Sequence, residues 1–152
     1  MGAPLADGNL NGAGEVRIYA GSPTLLDTGA AELMATIYGS WDDDQFGTSL
    51  AVGDTNGDGV TDLLVGAIQT LRGLLTKSGR VYLFHGRPDW TAVFEASQAD
   101  AWWSGAGANE YLGTRVASGD LDGDGDDDLI MSAPYRSIHG TYSGETYIYW
   151  GE

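Results

Sequence analysis

Three segments of one form divide the chain at equal intervals. GEVRIYAG (14–21), GRVYLFHG (79–86) and GETYIYWG (144–151) all fit G-x-[VT]-x-[IL]-[YF]-x-G, with starts at 14, 79 and 144, two steps of 65 residues. A fixed internal period constrains architecture more than any local propensity, because each unit must bury its apolar face against its neighbours. Other pieces keep the same phase. FGTSLAVGD (46–54) matches LGTRVASGD (112–120), YGSWDDDQFG (38–47) matches SGAGANEYLG (104–113), and VGAI (65–68) matches MSAP (131–134).

The pieces inside each unit read as short strands. GTSLAVG is small and apolar throughout, which suits an inner strand packed on both faces. DLLVGA and DLIMSA are apolar runs too short for helices, bounded by turn residues. EVRIYAG and RVYLFHG are rich in β-branched and aromatic side chains. A fourth strand is expected over LMATIY (33–38) and DAWWS (100–104), each closed by a glycine, Gly39 and Gly105. GAAELMAT (29–36) offers at most one uncapped helical turn, and no convincing helix is expected elsewhere. Four strands per unit, repeated, describe the blades of a β-propeller. A parallel β-helix has a much shorter period, and a two-sheet sandwich has no reason to repeat its sequence. The expected fold is therefore all-β: blades of four antiparallel strands, with one full blade (46–104) flanked by parts of two others (1–45 and 105–152).

Composition limits the partners. The net charge is −15 and the sequence pI about 4.1. Such a surface repels phosphate backbones and anionic lipid, which argues against nucleic-acid and membrane partners. No apolar run approaches a membrane span, and with no cysteine there is neither a disulfide framework nor a thiolate metal site. MGAPLADGNL lacks the basic region and apolar core of a signal peptide, so the chain is either cytosolic or a piece of a longer, exported one.

Between the first two expected strands of a unit stands DTNGDGVTD (54–62), and again DLDGDGDDD (120–128). Three acidic residues crowd the first window and six the second. Like charges packed this closely repel unless something neutralises them. Calcium does so: it takes six to eight oxygen ligands, largely from carboxylates and carbonyls. In D-x-[DN]-x-D-G-x-x-D, the side chains of Asp54, Asn56 and Asp58, or of Asp120, Asp122 and Asp124, turn toward one centre. Gly59 and Gly125 permit the backbone angle that closes the loop. Val60 and Asp126 can then offer a carbonyl, and Asp62 and Asp128 complete the ring. An EF-hand would need a bidentate acid at position twelve, but Val65 and Met131 stand there, inside apolar strands. A solvated hairpin turn needs two such residues, not four in register. Magnesium fits less well, because it keeps its waters and a near-octahedral shell. Two Ca²⁺ sites are expected, the second tighter because Asp122 replaces Asn56.

Other candidates carry less. DGNLNGAGE (7–15) spaces acids and amides similarly but out of phase, and reads as a polar turn. His85 and His139 lack an evident partner for base chemistry, and no nucleophile motif appears, so no catalytic residue is expected. Alternation should point one ring of Trp102-Trp103 inward and one outward; sugar stacking is the competing use. Ser22-Pro23 and Arg87-Pro88 read as turns at matching phase.

FGTSLAVGDTNGDGVTDLLVGA followed by GRVYLFHG resembles the FG-GAP repeat of integrin α-subunits and their bacterial relatives. Phe46-Gly47 carry the first two letters. Gly-Ala-Pro stands intact at residues 2–4, becomes Gly66-Ala67-Ile68 and Ser132-Ala133-Pro134 later, and Leu112 replaces the second Phe. The resemblance implies a propeller of about seven blades with calcium in the hairpin between a blade's first two strands. It also implies side-chain ligands at Asp54, Asn56, Asp58 and Asp62, then at Asp120, Asp122, Asp124 and Asp128, with protein or glycan ligands on the opposite face. An extracellular or cell-surface setting follows by the same resemblance. So does a role as an adhesion or protein-interaction scaffold, with a lectin-like propeller or a non-catalytic module of a secreted enzyme as alternatives. Residues 1–21 repeat the phase of 132–152, so a fragment of a larger propeller is expected, open to self-association through exposed blade edges.

Overall fold

The computed structural model describes residues 1–21, 32–69, 76–88, 90 and 93–151. Among them the strands run β1 (Gly2–Ala3), β2 (Glu15–Tyr19), β3 (Leu33–Tyr38), β4 (Phe46–Gly53), β5 (Asp62–Ala67), β6 (Arg80–Phe84) and β7 (Val93–Glu95). A single 3₁₀ turn at Ala96–Gln98 follows, then β8 (Ala101–Ser104), β9 (Val116–Gly119), β10 (Asp128–Ala133) and β11 (Glu145–Tyr149). They form three sheets, ordered β1-β2-β3-β7, β4-β5-β6-β8 and β11-β10-β9. The chain is all-β, with the architecture of part of a β-propeller.

The middle sheet is antiparallel throughout, and its register is set by alternation. Along β5, Leu64 turns toward the third sheet while Val65 and Ala67 turn toward the first. All three are fully buried, which is why DLLVGA is apolar at almost every position rather than at every second one. A slip of one residue would exchange the two faces. Between the first and middle sheets, Phe46 packs edge-on against Tyr82 at 5.5 Å and Phe84 at 6.4 Å, beside Val16 and Ile37. Truncating such a residue costs about 3–5 kcal/mol. The second seam joins Leu64, Val81 and Leu83 to Leu112, Leu129 and Met131.

Glycine decides how closely the sheets approach. A Cβ on Gly66 would lie 2.2 Å from the Gly113 carbonyl oxygen, and one on Gly2 would lie 2.3 Å from that of Gly47. Gly47 and Gly113 themselves sit at φ 91° and 89°. Each recurring Phe-Gly or Leu-Gly therefore meets the recurring Gly-Ala of the preceding sheet.

The strand expected over 33–38 is β3, so Leu33–Thr36 do not form the helical turn weighed for 29–36; residues 29–31 lie outside the described residues, as does Ser22-Pro23. One feature departs from the sequence reading. The segment Val93–Glu95 crosses to the first sheet and pairs parallel with Thr36–Tyr38, and the 3₁₀ turn after it returns the chain to β8. Arg87 and Pro88 lie in irregular chain after β6. Trp102 is exposed, with the Arg80 guanidinium 4.5 Å from its ring centre, while Trp103 packs on Tyr149 at 5.2 Å.

Candidate metal centre

Both acidic windows are the hairpin connections between antiparallel strands. Gly53 pairs with Asp62 to close β4–β5, and Gly119 pairs with Asp128 to close β9–β10. Each loop is folded by its own carboxylates, and the two use nearly one wiring scheme. Asp54 Oδ2 accepts from the Gly59 amide at 2.8 Å, as Asp120 Oδ2 does from that of Gly125 at 3.1 Å. The Asp58 amide donates to Asn56 Oδ1 and the Asp124 amide to Asp122 Oδ1, both at 3.2 Å. Val60 donates to Asp58 Oδ1 at 2.7 Å and Asp126 to Asp124 Oδ1 at 3.0 Å. Glycine is needed at the sixth position, where φ is 79° at Gly59 and 107° at Gly125.

The closing residues stand apart from this ring, which is exposed in the second loop and half-buried at Asp54 and Asn56 in the first. Asp62 and Asp128 are buried, and each ties the start of its own loop to one other chain segment. Asp62 Oδ2 accepts from the Thr55 amide at 2.9 Å and from the Thr55 hydroxyl, while Oδ1 accepts from the Gly86 amide at 2.7 Å. Asp128 Oδ2 accepts from the Leu121 amide at 2.8 Å, and Oδ1 from the Gly151 amide at 3.0 Å. Burial pushes the Asp62 carboxyl up, but the Thr55 and Gly86 donors, with His85 Nδ1 at 3.4 Å, outweigh it and hold the group below its ordinary value. Burial is also the largest influence at Asp122 and Asp126. Their acidic neighbours add to it, Asp120, Asp124 and Asp128 around the first and Asp54, Asp120 and Asp124 around the second, and both carboxyls are raised.

The second loop brings ligand atoms of Asp120, Asp122 and Asp124 within 4.8 Å of one another. Two oxygens bound to one calcium at 2.3–2.6 Å stand no more than about 5 Å apart, so this trio fits a common ion. In the first loop, Asp54 Oδ1 and Asn56 Oδ1 both take the Asp58 amide, at 3.1 and 3.2 Å, and so face one interior. The side chain of Val60 instead lies against Gly86, where an added Cβ would meet Val60 Cγ1 at 2.5 Å. The carboxylate of Asp126 leans away from its own loop onto Gly57 of the other, where an added Cβ would meet it at 2.4 Å. At position twelve, Val65 and Met131 are fully buried in strands. The out-of-phase segment 7–15 gathers no such ring: Asp7 accepts from the Gly12 amide, Asn9 reaches Glu95, and Glu15 is buried beside Arg17.

Several contributors escaped the sequence reading. The last glycine of the second and third eight-residue segments, Gly86 and Gly151, supplies the amide that fixes the closing aspartate, and its recurrence was the signal for it. Thr55 adds a hydroxyl donor to Asp62 in the first loop, and His85 Nδ1 stands 3.4 Å from the same carboxylate. Asp127 joins the two loops: its Oδ2 accepts from the Asp54 amide at 3.0 Å, and its own amide donates to the Asp54 carbonyl at 2.7 Å.

Comparison with known proteins places these loops in a wider set. The profile of the FG-GAP repeat matches residues 46–84 and 112–149. Over 159 residues, 96% of this chain, the sequence is 35% identical to human integrin alpha-IIb, of which it covers 14%. It is 33% identical over 109 residues to integrin alpha-4 of Xenopus laevis, covering 70% of this chain and 10% of that protein. Phosphatidylinositol-glycan-specific phospholipase D of Rattus norvegicus is 36% identical over 104 residues, 66% of this chain and 12% of that protein. The chain thus spans roughly an eighth of the relatives it matches.

Proposed function

The chain belongs to the FG-GAP repeat family, and on that premise we propose that it is a calcium-stabilised β-propeller scaffold for adhesion or protein–protein interaction. The observation that carries the reading is the trio Asp120, Asp122 and Asp124, converging within 4.8 Å in a hairpin whose wiring recurs one repeat earlier. Asp54, Asn56 and Asp58 with the Val60 carbonyl would hold one ion, and Asp120, Asp122 and Asp124 with the Asp126 carbonyl the other. Asp62 and Asp128 would close the rings while anchoring them to Gly86 and Gly151. Bound calcium would cancel the repulsion among these groups and stiffen one end of each sheet. The similarity to integrin α chains favours a protein partner in an extracellular or cell-surface setting. The units would be 1–45, 46–104 and 105–152.

A second reading has support of its own. The similarity to a phospholipase D fits a non-catalytic module of a larger secreted enzyme, in which the same scaffold would hold a neighbouring domain. A lectin-like propeller using the exposed Trp102 has only that ring in its favour.

Thermal unfolding with calcium and with chelator tests the common element. Saturating calcium at about 100 times its Kd adds about 2.7 kcal/mol per site. Identical unfolding curves in the two conditions would reject the proposal.

A further inference from the structure

The two loops do not act alone, because the seam between the middle and third sheets runs directly through them. Ser118 donates to the Val52 carbonyl at 2.6 Å, just before the first loop. Gly53 has no side chain where Asp127 Oδ2 comes in; an added Cβ would lie 2.5 Å from it. Beyond it, Asp127 and Asp54 exchange their pair of hydrogen bonds, at 3.0 and 2.7 Å. The Asp126 carboxylate covers Gly57, between Asn56 and Asp58. Residues seven and eight of the second loop are thereby spent on the backbone of the first, at its first and fourth positions. The same two places in the first loop are Val60 and Thr61, which cannot make a carboxylate clamp of this kind.

We propose that Asp127 is a positioning residue that couples the two ion sites, so that filling the second loop raises the affinity of the first. The inference rests on calcium binding by both loops. Asp127 is adjacent to Asp128 and to Asp126, the residues that close the second ring, so an ion there fixes the segment that carries the clamp. A fixed clamp holds the Asp54 backbone in place, and the first loop then loses less conformational freedom on binding. Asp126 acts in the same direction. Its carboxylate lies close to Asp54, Asp120 and Asp124, so a dication in either loop relieves repulsion felt by both.

Calorimetric calcium titrations of the whole chain test this. Asp124→Ala silences the second loop and leaves the first as the reporter. First-loop affinity in that variant should fall about fivefold or more below its wild-type value. With Asp127→Ala, the first loop should bind at the weaker value whether or not the second can fill. Asp127→Asn keeps an oxygen that can accept from the Asp54 amide, and should restore wild-type behaviour; a role confined to charge would not be rescued. First-loop affinity indifferent to Asp124→Ala overturns the coupling, even should Asp127→Ala fail to fold. Wild-type chain that binds no calcium is a separate outcome and overturns the reading of the loops along with it.

Discussion

The loops at 54–62 and 120–128 share a backbone and differ in surroundings. In both, the first carboxylate folds the loop on a glycine amide, and the ninth is buried on the amide of a glycine that follows the sheet's third strand. Yet Asp54 and Asn56 are half-buried, whereas Asp120 and Asp122 are exposed. The first loop has a neighbour, the third sheet, which reaches over it with Asp126 and Asp127; no described segment covers the second in that way. The first is also poorer in charge, with three acids against six, but its Asp62 has the Thr55 hydroxyl as a further donor and His85 Nδ1 beside it. Preorganisation therefore favours one loop and charge the other. Geometry common to both comes from the repeat, and what distinguishes each loop comes from what lies beside it.

The largest expected effect separates the two closing aspartates. In chelator, Asp62→Ala strands buried donors from Thr55 and Gly86 and should cost about 3 kcal/mol. Asp128→Ala frees two amides near an open face and should cost about 1–2 kcal/mol. Urea unfolding of the ion-free variants measures both, and equal losses would show that the buried hydroxyl and His85 contribute nothing.

Next in size is the affinity ranking. Asp122 brings a full charge where Asn56 brings a dipole, so the second loop should bind the tighter ion. Asp124→Ala should then remove more binding free energy than Asp58→Ala, by about 1 kcal/mol on the usual scale of a charged against a neutral contact. Equal losses in calorimetry would mean that the cover given by the third sheet offsets the missing charge.

Acidification should sharpen the contrast further. Asp62 has a folded value below its ordinary one, so its contribution is present above the unfolded carboxylate range and lost only as pH falls through the lower folded value. Asp122 and Asp126 are raised, so their ionised forms cost the ion-free protein stability, and this cost disappears as pH falls through their folded values. Protons therefore compete for the second loop first. As pH falls from 7 toward the carboxylate range, calcium affinity should fall more in Asp58→Ala, which reports the second loop, than in Asp124→Ala, which reports the first. Parallel declines would remove the distinction.

Much of this was legible in the residues. A 65-residue period and short apolar runs were enough for blades, and the spacing of Asp120, Asp122 and Asp124 was enough for their convergence. What was not legible depended on contacts between sheets. Val93–Glu95 is a three-residue strand whose partner lies 57 residues earlier, at Thr36, and nothing local marks that parallel pairing. Asp127 read as one more acid in a run of three, because its partner, the Asp54 backbone, belongs to the neighbouring sheet. Gly86 and Gly151 recurred visibly, but a glycine's recurrence does not say that its amide, rather than its missing side chain, is the working part.

The stoichiometry of calcium binding bears most directly on the central claim. Titration of the intact chain at pH 7 should give two ions per chain, and one for each of Asp58→Ala and Asp124→Ala. No saturable binding, or binding that survives both substitutions together, would contradict it.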